Sequence, residues 1–201
     1  MRMHHSPLTR MLQGSKILLA LGFVTAVLAA GATFLFPLEY RADASVLIIS
    51  KSRYGVDPYT VVKSAERVGE NIAQIISTDD FYDKVKVQEG YSVDWNVFDS
   101  LDARNKRKEW QKHVQGSVVY GTGVLNISAY STDPKQAMAL AGASSDTLVS
   151  KGWQYVGGDV TLQVVNHPVV TKWPVRPNLF INAVLGFVVG LLLGALVVTR
   201  K

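Results

Sequence analysis

ILLALGFVTAVLAAGATFLF, residues 17–36, and LFINAVLGFVVGLLLGALVV, residues 179–198, are each twenty residues long and carry no charge. At about 1.5 Å per residue, a helix of that length covers about 30 Å, the thickness of a bilayer's hydrocarbon core. Both are read as transmembrane helices, with Asn182 the one strongly polar residue of the second. Basic residues outside the pair set its orientation. Arg2, Arg10 and Lys16 precede the first run and Arg200 and Lys201 follow the second, with no acid among them. Lys and Arg are retained on the cytoplasmic side. Both termini are therefore expected in the cytoplasm and the intervening chain outside it, in a multi-pass protein of the cytoplasmic (inner) membrane. A cleaved leader is the competing reading of the first run, because Ala30-Gly31-Ala32 has the form of a cleavage site. The apolar run continues past it through residues 33–36, which favours a retained helix. For the second run the competitor is a buried core helix, but twenty apolar residues ending on bare basic charge are too uniform for a domain of this size.

The terminal charges also dispose of nucleic acid. The net charge of +5 equals those five flanking residues, so residues 38–176 balance sixteen bases against sixteen acids. A nucleic-acid-binding domain carries its basic excess in the folded part, as a footprint for phosphates. With 201 residues, 48% hydrophobic and 18% charged, the chain holds one compact domain besides its spans and is too apolar to be disordered. The absence of cysteine excludes a disulfide-stapled module, thiolate metal sites and thiol catalysis.

Within the second run Gly186, Gly190 and Gly194 recur every four residues, and Gly22, Ala26 and Ala30 do the same in the first. Such stripes let another helix backbone approach closely, either between the two spans or between subunits of a homo-oligomer. If the partner is a subunit, Gly190→Leu lowers the mass of the assembly.

Residues 40–50, YRADASVLIIS, alternate and then become β-branched, the pattern of a strand with a buried face. Asp57-Pro58 offers an N-cap and a first-turn proline, followed at helical spacing by Val61, Val62, Ala65, Val68, Ile72, Ala73 and Ile76. Thr78-Asp79 opens a shorter helix with Phe81, Tyr82 and Val85 that ends near Gly90. Residues 99–113 read as a polar helix. Residues 114–120 and 124–130 form a hairpin around Gly121-Thr122-Gly123. Asp133-Pro134-Lys135-Gln136 starts the next helix, with Gln136 placed to close a capping box, a face of Ala137, Leu140, Ala141, Ser144, Leu148 and Tyr155, and Gly157-Gly158 as its stop. A last strand over 160–166 leads to Pro168, Pro174 and Pro177, read as a stiff extended approach to the membrane. The order β, α, α, α, β, β, α, β predicts an α+β domain with a small mixed or antiparallel sheet.

Chemistry is sparse along this chain. His4 and His5 fall on the cytoplasmic side, His113 and His167 are isolated, and none has metal-ligand spacing. Asp79, Asp80 and Asp83 sit at a helix start, where the dipole favours acids. The Gly121 turn lacks the Lys-Ser/Thr of a phosphate loop, and the sequon Asn126-Ile127-Ser128 lies inside a strand. No catalytic residue, cofactor or metal is expected. Arg104, Lys106, Arg107, Lys108 and Lys112 form one basic patch, opposed by Glu109. It is either a solvated helix face or a contact for an anionic glycan or lipid head group.

The arrangement resembles the Wzz-type polysaccharide co-polymerases, or chain-length determinants, and the membrane adaptors of capsule synthesis. Three stretches carry the likeness: the strand directly after the first span, residues 131–137 (STDPKQA), which are similar to a recurring helix start, and residues 167–178, whose prolines precede a glycine-rich span. The resemblance implies a compact member without a kinase domain. Its parts would be a cytoplasmic segment (1–16), a first span (17–37), an extracytoplasmic α+β domain (38–177), a second span (178–198) and a cytoplasmic tail (199–201). It further implies a non-enzymatic homo-oligomer that meets a polysaccharide polymerase and its lipid-linked glycan and sets polymer length. The alternative is an envelope scaffold or sensor, or an adaptor of a tyrosine kinase, with no part in chain length.

Overall fold

The computed structural model describes residues 15–50, 57–156 and 160–200. The chain divides into two compact units, Glu39–Pro174 and a second made of Met1–Leu38 with Val175–Lys201. The first is α+β. Its elements in chain order are β1 (Tyr40–Ser50), α2 (Pro58–Ile75), α3 (Asp79–Lys86), α4 (Asn96–Asp99), α5 (Ala103–His113), β2 (Val114–Val119), β3 (Val124–Ser131), α6 (Pro134–Lys151), α7 (Trp153–Val156) and β4 (Val160–Val170). The other unit holds α1 (Ser15–Thr33) and α8 (Leu179–Arg200).

The strands form one antiparallel sheet in the order β2-β3-β1-β4. Alternation along β1 sends Ala42, Ala44, Val46 and Ile48 to one face, where all four are buried. Leu125, Ile127 and Ala129 continue that face on β3, and α2 and α6 cover it. The small residues let the helices sit close: a Cβ added at Gly116 of β2 would stand 3.0 Å from the Ala73 Cα of α2. The hairpin turns as its glycines require, with φ +81° at Gly121 and +66° at Gly123. At the end of α5, Trp110 is buried, stacks edge-on with Tyr82 and Phe98, and donates its indole N–H to the Ile76 carbonyl at 2.8 Å. That bond satisfies the polar end of a side chain otherwise packed among apolar groups.

The caps form locally. Asp57 accepts from the Thr60 N–H, Thr78 from Phe81 and Asp133 from Lys135. Several expectations need correction. Gln136 does not close a capping box: its Oε1 accepts from the Asp94 N–H at 2.9 Å and its Nε2 donates to the Ser92 carbonyl, while the Asp133 N–H turns to Ser131 Oγ. A tertiary bond to a distant loop displaces the local one. The helix expected to run past Tyr155 breaks at Gly152, where an added Cβ would lie 2.5 Å from Leu162 Cδ1. The stop expected at Gly157-Gly158 lies outside the described residues. The polar helix expected over 99–113 forms as α5 and starts at Ala103, while Asp99 closes the separate short turn α4. The last strand runs to Val170 and takes in Pro168, which belongs to the sheet and not to an approach segment. Pro168 is tolerated because β4 is an edge strand and because its pairing with β1 is irregular between Asp43 and Val46. In the other unit α1 ends at Thr33, three residues short of the apolar run. Pro37 disfavours helical backbone at Phe36, so residues 34–36 close as tight turns instead, Phe34 N–H to Gly31 O among them.

One buried group among the described residues is unmatched. Ser144 Oγ lies on the wholly buried face of α6 with no hydrogen-bond partner. Ser144→Ala should therefore raise the unfolding free energy, by about 1 kcal/mol, through removal of an unpaired hydroxyl and a gain in helix propensity. Denaturant melts of the two proteins in one detergent would check it, and a loss of stability would contradict the assignment.

Candidate functional site

The small residues of α1 and α8 meet within one chain. Gly190 stands against α1, where an added Cβ would overlap Thr25 Oγ1 and lie 2.7 Å from both the Gly22 Cα and the Leu21 carbonyl. At Gly186 it would lie 2.5 Å from Ala29 Cβ and 3.2 Å from Ala26 Cα, and at Gly194 it would lie 3.0 Å from Leu18 Cδ2. A Cβ on Gly22 would meet the Phe187 ring at 2.8 Å. A polar pair crosses the seam, Asn182 Nδ2 donating to Thr33 Oγ1 at 3.1 Å, while Thr25 Oγ1 donates back to its own helix at Leu21 O. Thr33 is 2% exposed and its hydroxyl donates a hydrogen bond to Ala29 O. Asn178 caps α8 by accepting from the Ile181 N–H. Away from the seam the pair is apolar and open. Phe23, Leu28 and Phe180 are 69, 66 and 77% exposed. Both helices are long and apolar enough to cross a membrane, and their uncovered faces are unlike those of a soluble core helix.

Asn182 stands out in the sequence as a polar residue in an apolar run. Its partner gives no such signal, because a threonine in any helix can bond its own i−4 carbonyl.

The three prolines separate. Pro168 lies in β4, Pro174 ends the α+β unit, and Pro177 belongs to the helical-pair unit. Between Pro168 and Pro174 the chain is tied to β1: the Thr171 N–H donates to Arg41 O at 2.8 Å, and the Arg41 N–H donates to Thr171 Oγ1.

The basic patch also divides. On α5, Arg104, Lys108 and Lys112 follow at four-residue spacing, so they share a face, and all three are exposed. Lys106 and Arg107 turn toward α3 and α4. Arg107 Nε donates to both Asp79 oxygens at 3.0 Å and Nη2 adds a further bond. Lys106 lies 3.7 Å from Asp99 and over the Tyr82 ring. Lys112 pairs with Glu109 at 2.6 Å. Three of the five charges thus have carboxylate partners inside the unit, and the acids at the start of α3 are committed likewise, Asp80 accepting from Lys84 and from the Tyr155 hydroxyl. The Arg107 guanidinium holds the Asp79 carboxyl below its usual range, Lys84 does so for Asp80, and Lys86 followed by Tyr82 for Asp99.

His113 Nδ1 bonds the Glu109 carbonyl, and its ring meets Phe98 edge-on. His167 is exposed on β4, while His4 and His5 lie outside the described residues. Asn126 of the sequon faces the uncovered side of the sheet, where Ser45 Oγ donates to its Oδ1 and Asn166 Nδ2 donates to Ser45. Beside it Asp43 accepts from Ser128 Oγ and from Arg41 Nε.

No family model matches this chain, and no curated protein matches it in sequence.

The Asp79 tie has a definite pH dependence. A carboxyl whose folded pKa is depressed contributes stability that is complete above its unfolded pKa and lost as pH falls through the folded value. Arg107→Gln removes the cause of the depression. Thermal melts followed by circular dichroism from about pH 5 down to about pH 2 should show a shallower acid loss for the variant than for the wild type. Parallel curves would mean that Arg107 does not hold Asp79 in solution.

Proposed function

We propose that this protein is a non-enzymatic membrane scaffold that regulates the chain length of an exported surface polysaccharide. The observation that carries the reading is an α+β unit inserted between two apolar helices that join along a small-residue seam. To it are added the stretches similar to Wzz-type co-polymerases, of which residues 131–137 form a strand end, an Asp133 cap and a helix start. The flanking basic residues support cytoplasmic termini and an extracytoplasmic domain in the inner membrane.

In this reading the mechanism is geometric. Gly22, Ala26, Gly186, Gly190 and Gly194 are spent on the pair within each chain, so subunits associate through other faces of the helices and through the domains. The assembled domains present a surface to a polymerase acting on lipid-linked repeat units and bias extension against termination. Arg104 and Lys108, the two patch residues without a carboxylate partner among the described residues, are the ones left to meet an anionic glycan or lipid head groups.

Deleting the gene should broaden the length distribution of the surface glycan on a gel while polymer is still made, and the wild-type gene should restore the modal length. Complementation with Gly190→Leu should fail, because the added side chain forces the helices apart. An unchanged ladder after deletion would reject chain-length control in favour of a scaffold or sensor of the envelope.

A further inference from the structure

The α+β unit contains a half-enclosed cleft of about 300 Å³ whose walls come from parts of the chain distant in sequence: the loop at Asp94, α4 at Phe98, the end of α5 at His113, the end of β3 at Tyr130 and the start of α6 at Asp133 and Gln136. That volume is at the small end for ligand pockets, enough for one small ring. The floor is apolar and aromatic, with Phe98 3% and Tyr130 8% exposed. Gln136 fixes the mouth by holding the backbone of residues 92–94 at both of its amide atoms.

The rim is rich in acceptors. Asp94 Oδ1 accepts from the Asn96 N–H and Asp133 Oδ1 from the Lys135 N–H, and among the described residues the second oxygen of each has no partner. His113 adds a third acceptor. Because Nδ1 faces a carbonyl, which can only accept, Nδ1 carries the proton in the neutral ring and Nε2 keeps its lone pair. Acceptors over an aromatic floor call for a ligand with several donors along one edge and an apolar C–H face. Two carboxylates at the mouth repel an anion.

We propose that this cleft binds a single pyranose unit of a glycan that is neutral or amine-bearing, and that it rejects uronates and phosphosugars. The choice of a sugar among donor-rich ligands rests on the polysaccharide reading above; the selection against anions rests on the cleft alone.

Full-length protein in detergent micelles can be tested by saturation-transfer NMR. The probes are the methyl glycosides of glucose, galactose, mannose and 2-amino-2-deoxyglucose, with sodium glucuronate as the anion. Transfer is expected to at least one methyl glycoside and about tenfold less to glucuronate. The Asp94→Asn/Asp133→Asn variant keeps both backbone-accepting oxygens and the helix cap, so it should fold as the wild type does by circular dichroism. It should lose about tenfold in glycoside binding and most of the discrimination against glucuronate. His113→Gln supplies a second variant away from the cap, with the same expected loss of glycoside binding. No transfer to any glycoside, equal transfer to glucuronate, or unchanged binding in the folded variants would each overturn the proposal. The gene-deletion ladder separates this from the function: a ladder that responds while binding fails removes only the cleft, and binding with an unresponsive ladder removes only chain-length control.

Discussion

Where Gly190 meets the turn of α1 between Leu21 and Thr25, the place of a Cβ is already taken by Thr25 Oγ1, the Gly22 Cα and the Leu21 carbonyl, so the two helix backbones can approach only because residue 190 has no side chain. In the lipid setting proposed for this pair, apolar surface gains nothing by leaving one greasy neighbour for another, so close van der Waals contact and a few hydrogen bonds must hold the helices together. Gly22, Ala26 and Ala29 on one helix and Gly186, Gly190 and Gly194 on the other supply the contact, and Asn182 with Thr33 supplies the bond. The other unit shows a matching economy at its own ends. β1 and β4 are neighbours in the sheet, and Ala42 pairs with Val170, so the chain enters and leaves the domain side by side. A domain with adjacent ends suits insertion between two paired helices.

Much of this was legible because it is local. The alternation over residues 40–50, the caps at Asp57, Thr78 and Asp133, and the glycines of the hairpin each act within a few residues, and the elements form where those signals stand. Expectations failed where a distant group competed. Gln136 has the right spacing for a capping box, yet the loop at Asp94 offers it better partners. Pro168 looks like the start of a linker because sequence alone does not show that β4 is an edge strand. At Gly152, where α6 ends, Leu162 of β4 and the Leu148 carbonyl fill the space a side chain would need, a contact that sequence alone does not show.

The candidate site was legible only in part, for the same reason. The glycine stripes are visible as periodicity, but their partner helix lies more than one hundred and fifty residues away along the chain. The basic patch is conspicuous as a run of letters and much less so in space, where Asp79, Asp99 and Glu109 compensate three of its members. The cleft at His113 is the opposite case: its rim residues Asp94, His113 and Asp133 are unremarkable one by one and acquire meaning only when the fold gathers them.

The proposed architecture depends most on the seam between α1 and α8, and a chain without cysteine allows that seam to be tested directly. With Thr33→Cys and Asn182→Cys introduced together, at positions whose native side chains meet at 3.1 Å, mild oxidation of native membranes should give an intramolecular disulfide that migrates as a monomer, while the outward-facing pair Leu28→Cys and Val189→Cys should not cross-link within the chain. Failure of the first pair to close, or its appearance as a dimer joined between chains, would contradict the packing from which the proposed architecture is built.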